Sequence, residues 1–292
     1  MRIGIVGAES SHTAIIARIL NVDQAVPGAT VTHVWGETEE FAQKAARDGA
    51  IACIVRDPGE MIGRVDAAVV DHRDGKHHAA AARPLLEAGI PVFVDKPFCT
   101  DLEEGLGLVR LARARGVAIT SFSTLPLEPS VQEFADRLPG IGRLRALVTA
   151  GPCDIDGPYS GVFFYGVHQV ETVLSLVGAR PVSVTATRSG TDGVATVTFD
   201  SGVIASVHCL QDWWGGGGFH AFACGEEGTR SAHLTSEEKP FLSGVKLFCE
   251  MFETGIEPVP PQRYLTGVAV LAAMRESFAV GGPVAVERVP EL

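Results

Sequence analysis

The chain has 292 residues, of which 46% are hydrophobic and 20% charged, a composition typical of a folded protein rather than a disordered one. This length exceeds that of most single-core domains and predicts two domains. A net charge of −11 at pH 7 argues against a general nucleic-acid binder, which needs a basic face, but leaves room for small phosphate-bearing ligands held by backbone N–H groups.

The first residues form a strand directly, so we expect no signal peptide, and no apolar run reaches the length of a membrane span. Six scattered cysteines without a Cys-x-x-Cys pair predict reduced, mostly buried thiols: Cys53, Cys99, Cys153, Cys209, Cys224 and Cys249. We therefore expect a cytoplasmic protein that contacts neither membrane nor nucleic acid.

Apolar strands alternate with helical stretches over the first 120 residues. The predicted strands are 2–7, 31–35, 51–55, 66–70, 91–94 and 117–120, and the predicted helices are 11–20, 39–48, 78–88 and 102–115. Because the strands are apolar on both faces, they predict a parallel sheet covered on both sides.

The pattern changes near residue 121. A strand-like run at 142–149 precedes a Gly- and Pro-rich loop at 151–161, a helix at 168–176, strands at 182–187, 194–199 and 203–208, and a last helix at 266–278. The three strands alternate apolar with polar residues, which is typical of antiparallel strands with one packed face, and 200–202 predicts a tight hairpin. The predicted class is α/β, with a Rossmann-like domain at 1–120 and an α+β domain with an open, mainly antiparallel sheet at 121–292.

The first turn is a damaged dinucleotide-binding fingerprint. Gly7 fits the first glycine, but Glu9 and His12 stand at the second and third glycine positions. A carboxylate at Glu9 would repel a pyrophosphate unless it points away, whereas hydroxyls and helix N-terminal N–H groups would attract one. The alternative is a helix N-cap by Ser10 or Ser11 without a ligand. The cofactor-binding residues predicted here are Gly7, Ala8, Ser10, Ser11 and His12.

Glu37 follows the second strand, where an acid can accept hydrogen bonds from the adenosine ribose and disfavour a 2′-phosphate. This favours NAD over NADP, although Arg56 or Arg73 could reach a 2′-phosphate. The alternative is a solvated loop acid.

Residues 71–78 leave the fourth strand at its carboxyl end, where ligands of such sheets bind. The loop is rich in His and Asp, but its spacing matches no closed zinc pattern, so we predict no metal site. His72 and His78 are predicted to line the cofactor pocket, with a helix-start role as the alternative for His78.

Asp95, Lys96 and Pro97 end the next strand, and a lysine there must be partly desolvated or paired, which makes it a functional candidate. All three are predicted cofactor-pocket residues.

Further on, His168 and Glu171 lie one helical turn apart and share a face. A histidine can exchange a proton with a substrate hydroxyl, although a lone one is more often structural.

Together these features resemble the glucose–fructose oxidoreductase / inositol dehydrogenase (Gfo/Idh/MocA) family. The resemblance rests on the strand–turn–helix start, the Val-Asp-Ala-Ala-Val-Val strand, the helix ending Leu-Glu-Ala-Gly, the acid-Lys-Pro triplet and the Gly-x-His-x-x-acid motif. It implies that Lys96 lies near the nicotinamide and the reacting carbon and that His168 acts as the acid/base or binds the substrate hydroxyl. The family usually has an aspartate four residues before that histidine; here Phe164 stands there, and the neighbouring Tyr165 is a further catalytic candidate.

The resemblance implies an oxidoreductase that transfers a hydride between a carbinol of a sugar, cyclitol or related polyol and NAD(P). Two alternatives remain: an NAD-retaining enzyme without net redox (a lyase, epimerase or hydrolase), and a non-catalytic or regulatory binding protein on the same fold. Relatives commonly pair through the second sheet, so we expect a homo-oligomer, a dimer or tetramer. Trp213-Trp214, before the glycine run, would lie at that interface or over the substrate cleft.

Overall fold

A computed structural model describes residues 1–213, 218–236 and 241–292. The chain forms two compact units: Met1–Phe122 with Pro240–Pro261 and Leu292, and Ser123–Lys239 with Gln262–Glu291. The described part of Pro240–Pro261, which the sequence placed in the second domain, packs with the first unit.

The first unit contains a six-stranded sheet. Its strands are β1 (Arg2–Val6), β2 (Thr30–Trp35), β3 (Cys53–Ile54), β4 (Ala67–Val70), β5 (Val92–Val94) and β6 (Ile119–Thr120). The order is β3-β2-β1-β4-β5-β6 and every pairing is parallel, which confirms the predicted Rossmann-like sheet. The strand order reverses between β1 and β4, and ligands of such sheets bind at that reversal.

Helices connect these strands: α1 (Ser11–Ala17), which continues as a π-helix over Arg18–Val22, α2 (Glu39–Gly49), α3 (His78–Glu87) and α4 (Leu102–Arg115). Local chemistry fixes their ends. The Asp101 carboxylate accepts a hydrogen bond from the Glu104 N–H at the start of α4, and Gly116 ends that helix with a φ of +65°.

The second unit contains the helices α5 (Pro129–Arg137) and α6 (Val162–Val177) and a seven-stranded sheet. The strands are β7 (Leu144–Pro152), β8 (Pro181–Ser189), β9 (Asp192–Phe199), β10 (Ile204–Leu210), β11 (Phe219–Gly225), β12 (Thr229–Leu234) and β13 (Pro283–Ala285). They are ordered β12-β11-β7-β10-β9-β8-β13, and all pairings are antiparallel except the β7–β10 pair, so the mainly antiparallel sheet is confirmed.

Two helices follow β12 in the chain: α7 (Leu242–Thr254) and α8 (Pro261–Val280). In the first unit, the Phe248 ring of α7 stacks on Phe93 of β5 at 4.6 Å. In the second unit, the Ser277 hydroxyl of α8 accepts a hydrogen bond from the Ala186 N–H of β8. No helix in the described residues is both long and apolar enough to cross a membrane.

One face of the second sheet packs against α6, and the side chains on its other face are partly or largely exposed within the part of the chain that the structure describes. In β10, Ala205, Val207 and Cys209 are fully buried, and the residues between them are not. The opposite side chains form three rows across six strands: His233, His220, Ala150, His208, Val194 and Thr187; Ser231, Phe222, Val148, Ser206, Thr196 and Thr185; Thr229, Cys224, Ala146, Ile204, Thr198 and Ser183. None of these residues, which together form the open face, is Asp, Glu, Lys or Arg.

All six cysteines are free thiols, and Cys53 is the exposed one. Burial raises the pKa of Cys99 and of Cys249 to about 12. Because the thiolate is the reactive form, we expect iodoacetamide to alkylate Cys53 first and these two only after unfolding, as read by peptide mass spectrometry. A Cys53→Ser variant should lose the fast phase; rapid alkylation of Cys99 in native protein would contradict the assignment.

Candidate functional site

The turn after β1 is tightly enclosed. Gly7 has a φ of +110°, and a Cβ atom there would lie 2.6 Å from the Asp71 carbonyl carbon and the His72 nitrogen. The Gly7 N–H donates to the Trp35 carbonyl at 3.0 Å. A side chain has neither the space nor an easy backbone conformation at this position, so only glycine fits this turn.

The Glu37 carboxylate lies at this turn. Its Oε2 accepts hydrogen bonds from the N–H groups of Ala8 (2.8 Å) and Glu9 (2.9 Å). Its Oε1 is buried and has no hydrogen-bond partner among the described residues. Glu37 is therefore not a solvated loop acid, and its unsatisfied oxygen is an acceptor that a ribose hydroxyl would fill. On this observation the residues fit a dinucleotide.

The start of α1 combines a cap with a buried polar contact. Ser10 is the N-cap, and its hydroxyl accepts from the His12 N–H at 3.2 Å, whereas Ser11 is exposed at the first helical position. The Thr13 hydroxyl lies 2.9 Å from the Gly7 carbonyl oxygen and 2.6 Å from Asp71 Oδ2. The helix thus begins with its side chains fixed against the ends of β1 and β4.

Two buried carboxylates flank the turn. Burial and the charge of Asp95 raise the pKa of Asp71 well above its usual range. Burial also opposes ionisation of Asp95, but His12 and Lys96 outweigh it and lower the pKa of Asp95. His12 Nδ1 lies 2.9 Å from Asp95 Oδ2, and its ring centroid lies 4.3 Å from that of Phe241. His12, at the third glycine position, therefore pairs with an acid instead of leaving the turn open.

Lys96 follows β5 and is only 7% exposed, so it is a desolvated cation at the carboxyl end of the sheet, as its position predicted. The preceding Asp95 N–H donates to the Val70 carbonyl at 2.8 Å, which fixes this segment to β4. Pro97 packs at Gly75, where a Cβ atom would lie 2.5 Å from its Cγ. A cation held in this way is suited to bind and polarise an oxygen atom.

The two histidines of the 71–78 loop differ in their contacts. His78 is fully buried, with Nδ1 2.7 Å from the Pro97 carbonyl and Nε2 2.9 Å from the His72 carbonyl, so it ties two loops together. His72 Nδ1 is buried without a partner among the described residues. Burial and the neighbouring His78 and His77 lower the pKa of His72 to about 3, so this imidazole is neutral at physiological pH. Of these two histidines, His72 is therefore the one whose ring nitrogen, Nδ1, can form a hydrogen bond with a ligand.

His168 lies on α6 in the second unit. Its Nδ1 is 2.7 Å from the Ser123 hydroxyl, which also accepts a hydrogen bond from the Leu125 N–H at 3.1 Å. The Ser123 N–H donates to Glu171 Oε2 at 2.7 Å. His168 and Glu171 thus contact the same serine, which fixes the imidazole through Nδ1. Sequence reasoning missed Ser123, because nothing local marks a serine in the loop after β6 as a histidine partner.

Aromatic rings surround His168. The Tyr165 and Phe219 ring centroids each lie 5.6 Å from the His168 ring, and Phe164 lies 4.8 Å from Tyr165. Tyr159 lies 5.1 Å from Phe164. The position at which the family usually has an aspartate is therefore part of an aromatic cluster. Of the Trp213-Trp214 pair, Trp213 lies beside His220 on the open face at 5.3 Å, and Trp214 lies outside the described residues.

A parallel sheet with a glycine turn at its strand-order reversal, followed by a mixed sheet, defines a two-unit α/β protein whose first unit is Rossmann-like. Residues 1–122 match the oxidoreductase family with an NAD-binding Rossmann fold, GFO_IDH_MocA. This match lies within the first unit and covers less than half of the chain.

Two curated relatives are similar to parts of the chain. The UDP-N-acetylglucosamine 3-dehydrogenase of Acidithiobacillus ferrooxidans is 27% identical over 177 residues, 58% of this chain and 53% of that protein. The myo-inositol dehydrogenase Hyg17 of Streptomyces leeuwenhoekii is 34% identical over 111 residues, 38% of this chain and 31% of that protein. The matched regions thus span about half or less of these relatives.

The fold likeness extends over almost the whole chain. The myo-inositol 2-dehydrogenase of Lactobacillus plantarum superposes with a TM-score of 0.85 at 15% identity and covers 98% of this chain and 99% of its own. At this identity the likeness shows the fold of both units and nothing further.

Proposed function

We propose that this protein is an NAD(H)-dependent oxidoreductase that acts on a secondary hydroxyl of a sugar, cyclitol or related polyol. The observation that carries the proposal is the turn after β1, where Gly7 fits only as glycine and a buried Glu37 oxygen lacks a partner among the described residues. The family match and relatives named for UDP-N-acetylglucosamine and myo-inositol support it. When bound, the nicotinamide accepts or supplies the hydride.

The cofactor residues belong to the first unit. Glu37 would accept a ribose hydroxyl at Oε1 while its other oxygen holds the turn, and this arrangement disfavours a 2′-phosphate. The N–H groups of the turn, the Ser10 and Ser11 hydroxyls, and His12 would face the phosphates. His72 would donate or accept one hydrogen bond, and Asp95 and Pro97 would hold Lys96 beside the nicotinamide, with His78 fixing their loop.

Lys96 would bind the substrate oxygen. Oxidation of a carbinol breaks the C–H bond, sending the hydride to the cofactor, and the O–H bond, sending the proton to a base. Negative charge grows on the oxygen as this happens, and a desolvated ammonium group stabilises that charge far better than water does.

His168 would take the hydroxyl proton in oxidation and return it in reduction, with Tyr165 as a further donor in the same network. With Nδ1 turned to Ser123, the other ring nitrogen can serve as the proton acceptor. Ser123 and Glu171 would act as positioning residues. Ser123 contacts His168 Nδ1 and Glu171 holds Ser123, so both would orient the imidazole without contacting the substrate.

The first test is nucleotide binding by protein freed of carried-over cofactor, titrated separately with NADH and NADPH and followed by ligand fluorescence and the shift in Tm. We expect binding of NADH over NADPH, and a loss of about 1.5–3 kcal/mol in NADH binding for Glu37→Gln, since a charged acceptor is removed. Glu39→Gln, an exposed acid at the start of α2, is the control. Absence of binding by either nucleotide would contradict the proposal and favour a non-catalytic protein.

Turnover separates the remaining alternatives. With NAD⁺ as oxidant, myo-inositol and UDP-N-acetylglucosamine serve as test substrates, and NADH formation is followed at constant pH. We expect net NADH formation with a polyol of this class. Substrate conversion without net NADH would instead identify an enzyme that retains its cofactor and performs no net redox reaction.

We also propose that two copies of the chain associate through the open face. Its rows hold no formally charged residue in a chain of net charge −11, so this is where two copies meet with least repulsion. We expect light scattering to report a dimer or tetramer, and Phe222→Glu, on the open face, to dissociate it. Val280→Glu, an exposed apolar residue at the end of α8, should leave assembly intact. A wild-type monomer would contradict this.

We infer a cytoplasmic location, because all six cysteines are free thiols.

A further inference from the structure

Three potential metal ligands converge in the first unit. His12 on α1, Asp71 after β4 and Asp95 after β5 each offer one ligand atom, and these atoms lie within 4.8 Å of one another. Asp71 is fully buried and Asp95 is 6% exposed. The spacing within the 71–78 loop predicted no metal site, whereas these three ligands come from three separate elements.

One oxygen in this cluster is unsatisfied. Asp71 Oδ2 lies 2.6 Å from the Thr13 hydroxyl, but Oδ1 is buried and has no hydrogen-bond partner among the described residues. Asp95 has His12 as a partner, whereas Oδ1 of Asp71 has none among the described residues. A buried carboxylate oxygen beside a second carboxylate and an imidazole nitrogen indicates a missing ligand rather than a finished network.

We propose that His12, Asp71 and Asp95 bind a divalent transition-metal ion such as Zn²⁺ or Mn²⁺. One imidazole nitrogen and two carboxylate oxygens suit such ions better than Mg²⁺ or Ca²⁺, which prefer oxygen alone. Bonds of about 2.0–2.2 Å place neighbouring ligand atoms about 3–4 Å apart, so small side-chain shifts from the observed spacing suffice.

The ion would keep an open position. Three protein ligands leave at least one site for water or another oxygen. With the metal bound, the net charge of the site is positive. The dication and the adjoining Lys96 ammonium outweigh the two carboxylates, and the imidazole is neutral. The open position is therefore suited to an anionic oxygen, and the ion would offset the acidic character that Glu9 gives to the turn. This inference does not depend on the proposed reaction.

The test is a titration of chelator-treated, nucleotide-free protein with Zn²⁺, Mn²⁺ and Mg²⁺, followed by calorimetry and Tm. We expect one Zn²⁺ or Mn²⁺ per chain and much weaker Mg²⁺ binding. His12→Gln, Asp71→Asn and Asp95→Asn should each weaken Zn²⁺ binding by about 10- to 100-fold or more. His33→Gln, a histidine on β2 outside the cluster, is the matched control for adventitious imidazole binding.

A second measurement needs no variant. X-ray absorption of the wild-type Zn²⁺ complex should show a first shell of nitrogen and oxygen with a single imidazole. Absence of stoichiometric binding by wild type, a sulfur or multi-imidazole shell, or binding lost only in His33→Gln would overturn the proposal. Because no nucleotide or substrate is present, these results are independent of the oxidoreductase assignment.

Discussion

A Lys96→Met variant is expected to lose about 10²- to 10³-fold in kcat for polyol oxidation by NAD⁺, because the proposed mechanism assigns to Lys96 the charge that would stabilise the developing alkoxide. Methionine keeps much of the side-chain volume in a site that is only 7% exposed, so the fold should survive. Steady-state kinetics on whichever test substrate the wild type oxidises measures the effect.

The control is Lys76→Met, which removes a lysine that pairs with Asp74 at 2.8 Å and whose side chain is 55% exposed. It should leave kcat within about twofold of wild type, since exposed ion pairs contribute little. NADH affinity should fall much less than kcat in Lys96→Met, because in the proposed mechanism the lysine would act mainly in the transition state. Turnover unchanged by Lys96→Met would remove this residue from the proposed mechanism.

Gly7→Ala is expected to lower the free energy of unfolding by about 2–4 kcal/mol, combining the strain of a positive φ with overpacking in a closed turn. The new methyl would meet the Asp71 carbonyl and the His72 nitrogen at 2.6 Å, and these are backbone atoms that cannot move aside cheaply. Urea unfolding measures the change. NADH binding should fall as well, because the turn must shift to accept the methyl.

Gly28→Ala separates the two costs. Gly28 has a φ of +83°, but a methyl group added there would find no atom within 4 Å, so the variant bears the conformational cost alone, about 1 kcal/mol. If both variants lower the free energy of unfolding equally, the contacts of Gly7 with the residues after β4 contribute nothing to the effect of Gly7→Ala.

The first unit was largely predictable because its signals are local. The predicted bounds of helix α4 match the observed ones, and Gly116 marks its C-terminal end. The predicted start of helix α6 is His168, whereas the helix begins at Val162, where no side-chain cap marks its first turn. Strand β11 was missed because its sequence, FHAFACG, shows no clear apolar–polar alternation. Elements α5, β12, α7 and β13 were also not predicted.

The sequence could point to residues of the candidate site only where their position after a strand marks them. Gly7 and Lys96 follow strands at the ligand-binding edge, so the strand pattern alone points to them. The double contact of Glu37 with the turn, the Ser123–His168 pair and the meeting of His12, Asp71 and Asp95 depend on how distant segments pack. No spacing in the sequence encodes these contacts.

The order of synthesis has a consequence for how the chain matures. Phe248 stacks on Phe93, and the Glu257 carboxylate accepts hydrogen bonds from the Arg113 guanidinium and the Ile119 N–H. Phe248 and Glu257 belong to a segment that is synthesised after most of the second unit. During synthesis the surface that this segment covers is therefore exposed until the segment has been made, although domains commonly fold in N-to-C order. A fragment cut at residue 122 would expose the same surface permanently, so expressing this dinucleotide-type unit alone requires grafting residues 241–261 back onto it.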